Sequence, residues 1–126
     1  MFLLSIAALK HETDGTNIDA IVGDITTTTQ LCESSVDIIY LSMVFHGLTK
    51  EQIKGFNREV KRILKPYGRL AIVEIAKRKS SFGPPLEIRF SPEELTNSVD
   101  LAFRKTIELG EYYYLQIFEK HDVSNN

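Results

Sequence analysis

The 126-residue sequence predicts an α/β fold whose sheet is at least partly parallel. Three observations lead there. Val36 to Leu41 is a nearly continuous apolar run, and Arg69 to Ile75 is a second one. Such runs suit parallel strands covered on both faces. A helix-period segment lies between them, and a connection of that length lets the two strands run in the same direction with a right-handed crossover.

The intervening helix carries its own start and stop. Thr49 and Gln52 form a capping box, in which hydroxyl and side-chain amide each satisfy a backbone group at the helix start. Ile53, Phe56, Val60, Ile63 and Leu64 then fall on one face. Lys50, Lys54, Arg58, Glu59, Lys61 and Arg62 cover most of the rest. Lys65-Pro66 ends the helix, because a residue before proline avoids the helical region. Gly68 completes the turn into the next strand.

Upstream, residues 2–11 read as a helix, apolar from Phe2 to Leu9 and stopped by the turn cluster Asp14-Gly15-Thr16-Asn17. It is far too short to cross a bilayer. No Lys or Arg precedes it and no small-x-small site follows, so it reads as a buried helix rather than a signal peptide. Ile18 to Val22 reads as a strand ending at Gly23-Asp24, followed by a polar connection through Thr26 to Gln30. Downstream, Lys77 to Pro85 reads as an exposed basic loop. Ser91-Pro92-Glu93-Glu94 starts a second helix, expected to run to about Ala102. Lys105 to Leu109 and Glu111 to Phe118, separated only by Gly110, predict an antiparallel hairpin. Tyr112, Tyr113 and Tyr114 should alternate across its last strand and pack on both faces. One domain accounts for this length, and no repeat or linker divides it.

Composition removes several function classes. Hydrophobic residues make up 43% and charged residues 25%, ordinary for a globular domain. The formal net charge of -2 gives no electrostatic footprint for nucleic acid or for an anionic membrane. A single cysteine, Cys32, rules out an internal disulfide framework and a structural zinc site built on several thiolates. A reducing, cytoplasmic setting is the default expectation. His11 and His121 are isolated and no metal-binding spacing is present.

Four segments carry a family resemblance in register: Ile18 to Ile25, Val36 to Leu48, Arg58 to Glu74, and Ser91 to Leu95. Their order resembles class I S-adenosylmethionine-dependent methyltransferases, and most of all the small-molecule subgroup related to the ubiquinone and menaquinone methyltransferases. The family pattern after the long helix is Lys-Pro-Gly-Gly, and here Tyr67 stands at the first glycine. That change is conservative only where the turn needs no positive φ. The family's glycine-rich cofactor loop and the acidic residue ending its second strand have no counterpart. The resemblance therefore implies the carboxyl-terminal part of such a domain, without its first two strands. The family sheet runs 3-2-1-4-5-7-6, so residues 36–119 should form strands 4 to 7 of an incomplete Rossmann-like sheet. The strand at 18–22 would then pair beside strand 4, meet another chain, or stay poorly ordered.

The resemblance also assigns a site. Asp24 would accept a hydrogen bond from the cofactor's adenine amino group, with the Ile25 backbone N–H nearby. Ser42, Met43 and Val44, just past a strand end where open α/β sheets bind ligands, would line the cofactor. His46 matches a histidine common in the family and can orient or deprotonate an acceptor hydroxyl, since imidazole titrates near neutral pH. Each has a plainer alternative: a loop aspartate in its own turn, and a histidine that caps or packs. Glu74, near the end of the next parallel strand, either faces the pocket or forms a structural ion pair. Lys77, Arg78 and Lys79 read as a solvated run, and Cys32 as inert.

Methyl transfer from a sulfonium needs no acid for its leaving group, so the lack of a Ser/His/Asp arrangement counts only against a triad hydrolase. Two rivals stand beside the methyltransferase reading. A non-catalytic module would use the uncovered sheet edge or the amino-terminal helix to form a homodimer. A dehydrogenase fragment would need the G-x-G-x-x-G pattern, which is absent. The expected activity is transfer to a small-molecule acceptor, weak or absent in this chain alone, with weak or absent cofactor binding.

Overall fold

A computed structural model describes residues 23–121. The expected helix over 2–11, the strand over 18–22 and the last five residues lie outside them.

The two predicted strands flank the predicted helix. Strand β1 is Val36–Ser42, helix α1 is Lys50–Ile63, and strand β2 is Leu64–Ile75. β1 and β2 pair in parallel, with Tyr40 opposite Ala71 and Ser42 opposite Val73. Helix α2 is Pro92–Ser98, and strands β3, Ala102–Leu109, and β4, Tyr113–Glu119, complete the sheet. The sheet order is β1-β2-β4-β3, with β4 antiparallel to both β2 and β3. That order is the one expected of strands 4, 5, 7 and 6.

Both capping boxes form: Thr49 with Gln52, and Ser91 with Glu94. Phe45, Phe56, Val60, Leu70, Ile72, Leu95 and Phe118 are sealed from solvent between the helices and one sheet face. Gln116 of β4 is buried there too, and its amide donates to Pro92 O at 3.1 Å and Thr96 Oγ1 at 2.9 Å, fastening α2 to the sheet.

Five expectations need correction. α2 stops at Ser98 rather than near Ala102. Asn57 of α1 accounts for the early end: its Nδ2 donates to Ser98 O and its Oδ1 accepts from Asp100 N–H, each at 2.8 Å. The hairpin turn is Gly110-Glu111-Tyr112, not Gly110 alone, because one residue cannot reverse a strand. Tyr112 therefore sits in the turn, its ring edge-on to Phe82 at 5.0 Å, while Tyr114 is buried and its hydroxyl donates to Phe90 O. β1 is not covered on both faces: Ile38 and Tyr40 are 68% and 65% exposed, since among the described residues helices cover one sheet face only. Glu59 is not on the solvent face of α1; it is buried beneath the segment after Gly23.

That segment packs tightly on α1. A Cβ at Gly55 would sit 2.0 Å from Thr26 O, so only glycine permits the approach. Glu59 Oε2 accepts from both the backbone N–H and the hydroxyl of Thr29, at 2.8 and 2.6 Å, and pairs with Arg62 at 2.8 Å. Arg62 also donates to Leu31 O.

Candidate active site

The carboxyl ends of β1 and β2 lie side by side, because the strands are parallel and in register to Ser42–Val73. Met43 leaves β1 at φ +59°, its N–H donating to Val73 O at 2.9 Å. This left-handed residue turns the chain into the single 3-10 turn Phe45–Gly47. Phe45 anchors that turn, fully buried and edge-on to Phe56 and Phe90.

His46 is thereby held over the end of β2. Its Nδ1 lies 2.8 Å from Glu74 Oε1, and its backbone N–H donates to Glu74 Oε2 at 3.4 Å. The Glu74 side chain is fully buried, while that of His46 keeps 16% of its surface exposed. Burial pushes the Glu74 carboxyl up from its ordinary value, and the imidazole and the backbone N–H groups of His46 and Phe45 pull against that shift. Of the two readings for Glu74, the structural pairing is realised as a contact with His46, and it sits at the ligand-binding edge.

The other site residues are placed as follows. Asp24 Oδ1 accepts from the Thr26 N–H at 2.9 Å and the Thr26 hydroxyl at 2.6 Å, so one carboxylate oxygen is tied into its own turn. Ile25 and Val44 pack against the core. Ser42 is exposed. No hydrogen bond among the described residues joins Asp24 to Ser42, Met43 or His46. Five of the cavities that open among the described residues, of about 150 to about 480 Å³, are walled by residues other than Asp24, Ile25, Ser42, Met43, Val44 and His46. Asp24 Oδ2 makes no hydrogen bond among the described residues, which leaves free an acceptor of the kind the resemblance asks of Asp24. Among the described residues no cluster of three or more His, Cys, Asp or Glu side chains is placed to hold a metal, and no helix is long and apolar enough to cross a membrane.

Two buried cations went unnoticed in the sequence. Arg89 is 4% exposed, and among the described residues its hydrogen-bond partners are carbonyls and a hydroxyl rather than a carboxylate. Its guanidinium donates to the carbonyls of Ala76, Arg78, Phe82 and Pro84 and to Ser80 Oγ, which fixes the loop leaving β2. The one signal for it was a lone arginine among the alternating apolar residues Leu86, Ile88 and Phe90. Lys120 is also buried, and its Nζ donates to Lys61 O and Leu64 O at the carboxyl end of α1. In the basic run, Lys77 pairs with Glu94 at 2.9 Å.

A family model described as "Methyltransferase domain" matches residues 3–72, just over half of the chain. The chain belongs to this methyltransferase domain family. Curated proteins yield no sequence match. Solved structures share the fold of this methyltransferase domain. An S-adenosylmethionine-dependent methyltransferase from Aquifex aeolicus superposes with a TM-score of 0.78 at 23% identity, over 93% of this chain and 62% of that one. A protein of Sulfolobus solfataricus assigned to the type 11 methyltransferases gives 0.72 at 24%, over 98% and 70%. The [4+2]-cyclase SpnF gives 0.68 at 14%, over 94% and 62%. The domain thus spans about two thirds of the length of these proteins. A cyclase among them means that the shared fold by itself does not name the reaction.

Proposed function

We propose that the chain carries part of the catalytic edge of an S-adenosylmethionine-dependent methyltransferase acting on a small molecule, most akin to the quinone-methylating subgroup. The observation behind this reading is the family match, together with the parallel β1–β2 edge that presents Ser42, Met43, Val44 and His46 beside Glu74. The cofactor would supply a methyl group activated on a sulfonium. The residues of the chain do the rest. Asp24 accepts from the adenine amino group and Ile25 offers its backbone N–H. Ser42 to Val44 line the bound nucleoside, and His46 takes a proton from the acceptor. Catalysis at such an edge is chiefly a matter of alignment and water exclusion. Because the family's glycine-rich loop and second-strand acid have no counterpart in this sequence, binding by this chain is expected to be weak and turnover weak or absent.

Amide NMR with S-adenosylmethionine added to millimolar concentration tests the reading. Shifts concentrated at Asp24, Ile25 and Ser42 to Val44, saturating weakly, are expected. Shifts scattered elsewhere, or none, would overturn the assignment, and micromolar affinity would overturn the expected weak binding.

A second reading rests on Ile38 and Tyr40, exposed on β1, which has one strand neighbour among the described residues. In it the chain is a non-catalytic module that pairs with a second copy along this edge. Light scattering should then show a dimer that Tyr40→Lys dissociates; a monomer at high concentration rules it out.

A further inference from the structure

We infer that Glu74 is a positioning residue that fixes His46 as the Nδ1–H tautomer, leaving Nε2 as the proton acceptor, so that the methyl acceptor is a protic nucleophile such as a hydroxyl. This deepens the methyltransferase reading and rests on it.

Glu74 is fully buried, and its two oxygens face two nitrogens of His46: Oε1 lies 2.8 Å from Nδ1, and Oε2 accepts the backbone N–H. A carboxylate in that setting orients an imidazole by accepting from its nearer nitrogen. The nearest titratable neighbour across the sheet, Tyr114, opposes Glu74 in register but gives its hydroxyl to Phe90 O, so it does not compete for the carboxylate. The far nitrogen, Nε2, makes no hydrogen bond among the described residues, and the His46 side chain keeps 16% of its surface exposed at the strand ends where this fold takes its ligands.

The chemistry of the pair follows. A proton leaves the acceptor's hydroxyl for Nε2, its bonding electrons stay on the acceptor oxygen, and the imidazolium formed is balanced by the Glu74 carboxylate. An acceptor that arrives already ionised, or that loses no proton on methylation, has no use for such a pair. A solely structural Glu74 would hold the turn through the backbone N–H and be indifferent to the tautomer.

Long-range ¹H–¹⁵N NMR of the histidine rings, with His46→Gln to assign the signal, reads this directly and needs no bound cofactor. The neutral His46 ring should show a protonated Nδ1 and an unprotonated Nε2. Glu74→Gln should shift the tautomer ratio about tenfold towards Nε2–H, the size expected when a charge-assisted hydrogen bond is lost. A wild-type ring protonated at Nε2 overturns the proposal, as does a Glu74→Gln ring with an unchanged ratio. If that variant does not fold, the wild-type spectrum alone decides. Failure of the cofactor titration leaves these signals untouched, so the two ideas fail separately.

Discussion

At Tyr67 the backbone takes φ +66°, a conformation that costs an L-residue roughly 1–2 kcal/mol and glycine almost nothing. Its N–H is nonetheless used, donating to Lys120 O at 2.7 Å, and its ring is largely exposed. Tyr67→Gly keeps that bond and removes the strain. Its urea midpoint should rise by the equivalent of about 0.5–1 kcal/mol, after the extra unfolded-state freedom of glycine is subtracted. The sequence alone raised the question and left it open, because a φ angle depends on which carbonyls the turn must reach. Gly68 next door answers to sterics instead: a Cβ there would meet Lys65 O at 2.8 Å. Glu59 gives a second residue-scale prediction. Its Arg62 hydrogen bond, with help from Thr29, holds its carboxyl down from 4.5 to about 2. A depressed folded value means stability that is present above about pH 4.5 and lost as pH falls towards 2. Glu59→Gln should therefore cost on the order of 2 kcal/mol at pH 7. Urea midpoints of the two proteins should converge as the pH is lowered through that window. The burial of Glu59 could not be read from helical periodicity, since the cover comes from a loop some thirty residues earlier in the chain.

The elements were legible where the signal is local and obscure where a distant contact decides. The Thr49–Gln52 and Ser91–Glu94 boxes are local, and both helices start where these residues place them. The end of α2 is set by Asn57, which no pattern within residues 91–102 reveals. The same contrast holds for the site. His46 and Glu74 were both singled out from sequence, but their meeting requires the parallel register of β1 on β2, which brings the two strand ends level. The loop between β2 and α2 depends on a distant contact as well. It contains no strand and no long helix, and the Arg89 guanidinium is the feature that gathers its carbonyls. Arg89→Met keeps much of the side-chain volume and strips the donors, stranding those carbonyls. A loss of about 2–3 kcal/mol in urea stability is expected. Limited proteolysis within residues 77–85 should accelerate, and an unchanged cleavage rate there would show that the loop holds itself.

Across the whole molecule, the sheet divides into a centre and two margins. β2 and β4 are bonded to a strand on each side, whereas β1 and β3 each have one strand neighbour among the described residues. Local opening is cheapest at margins, where fewer bonds and less buried apolar surface resist it. Hydrogen exchange should therefore be slowest at Leu70 to Ile75 and at Leu115 to Phe118, and faster in Arg104 to Glu108 of β3. Equal protection across the sheet would mean that the domain opens only globally. β1 supplies the informative case, because it bears the candidate site at one end and the exposed Ile38 and Tyr40 along its length. Those of its amides that do not bond to β2 should exchange as fast as those of β3 if its outer edge meets water. Protection that grows with protein concentration is the expected signature of a second copy pairing there. Protection independent of concentration would instead mean that the chain closes its own edge, and would remove the ground for the dimer reading. The methyltransferase reading does not depend on which of these holds, since Ser42 ends the strand and Met43 to His46 lie past its carboxyl end rather than along its flank.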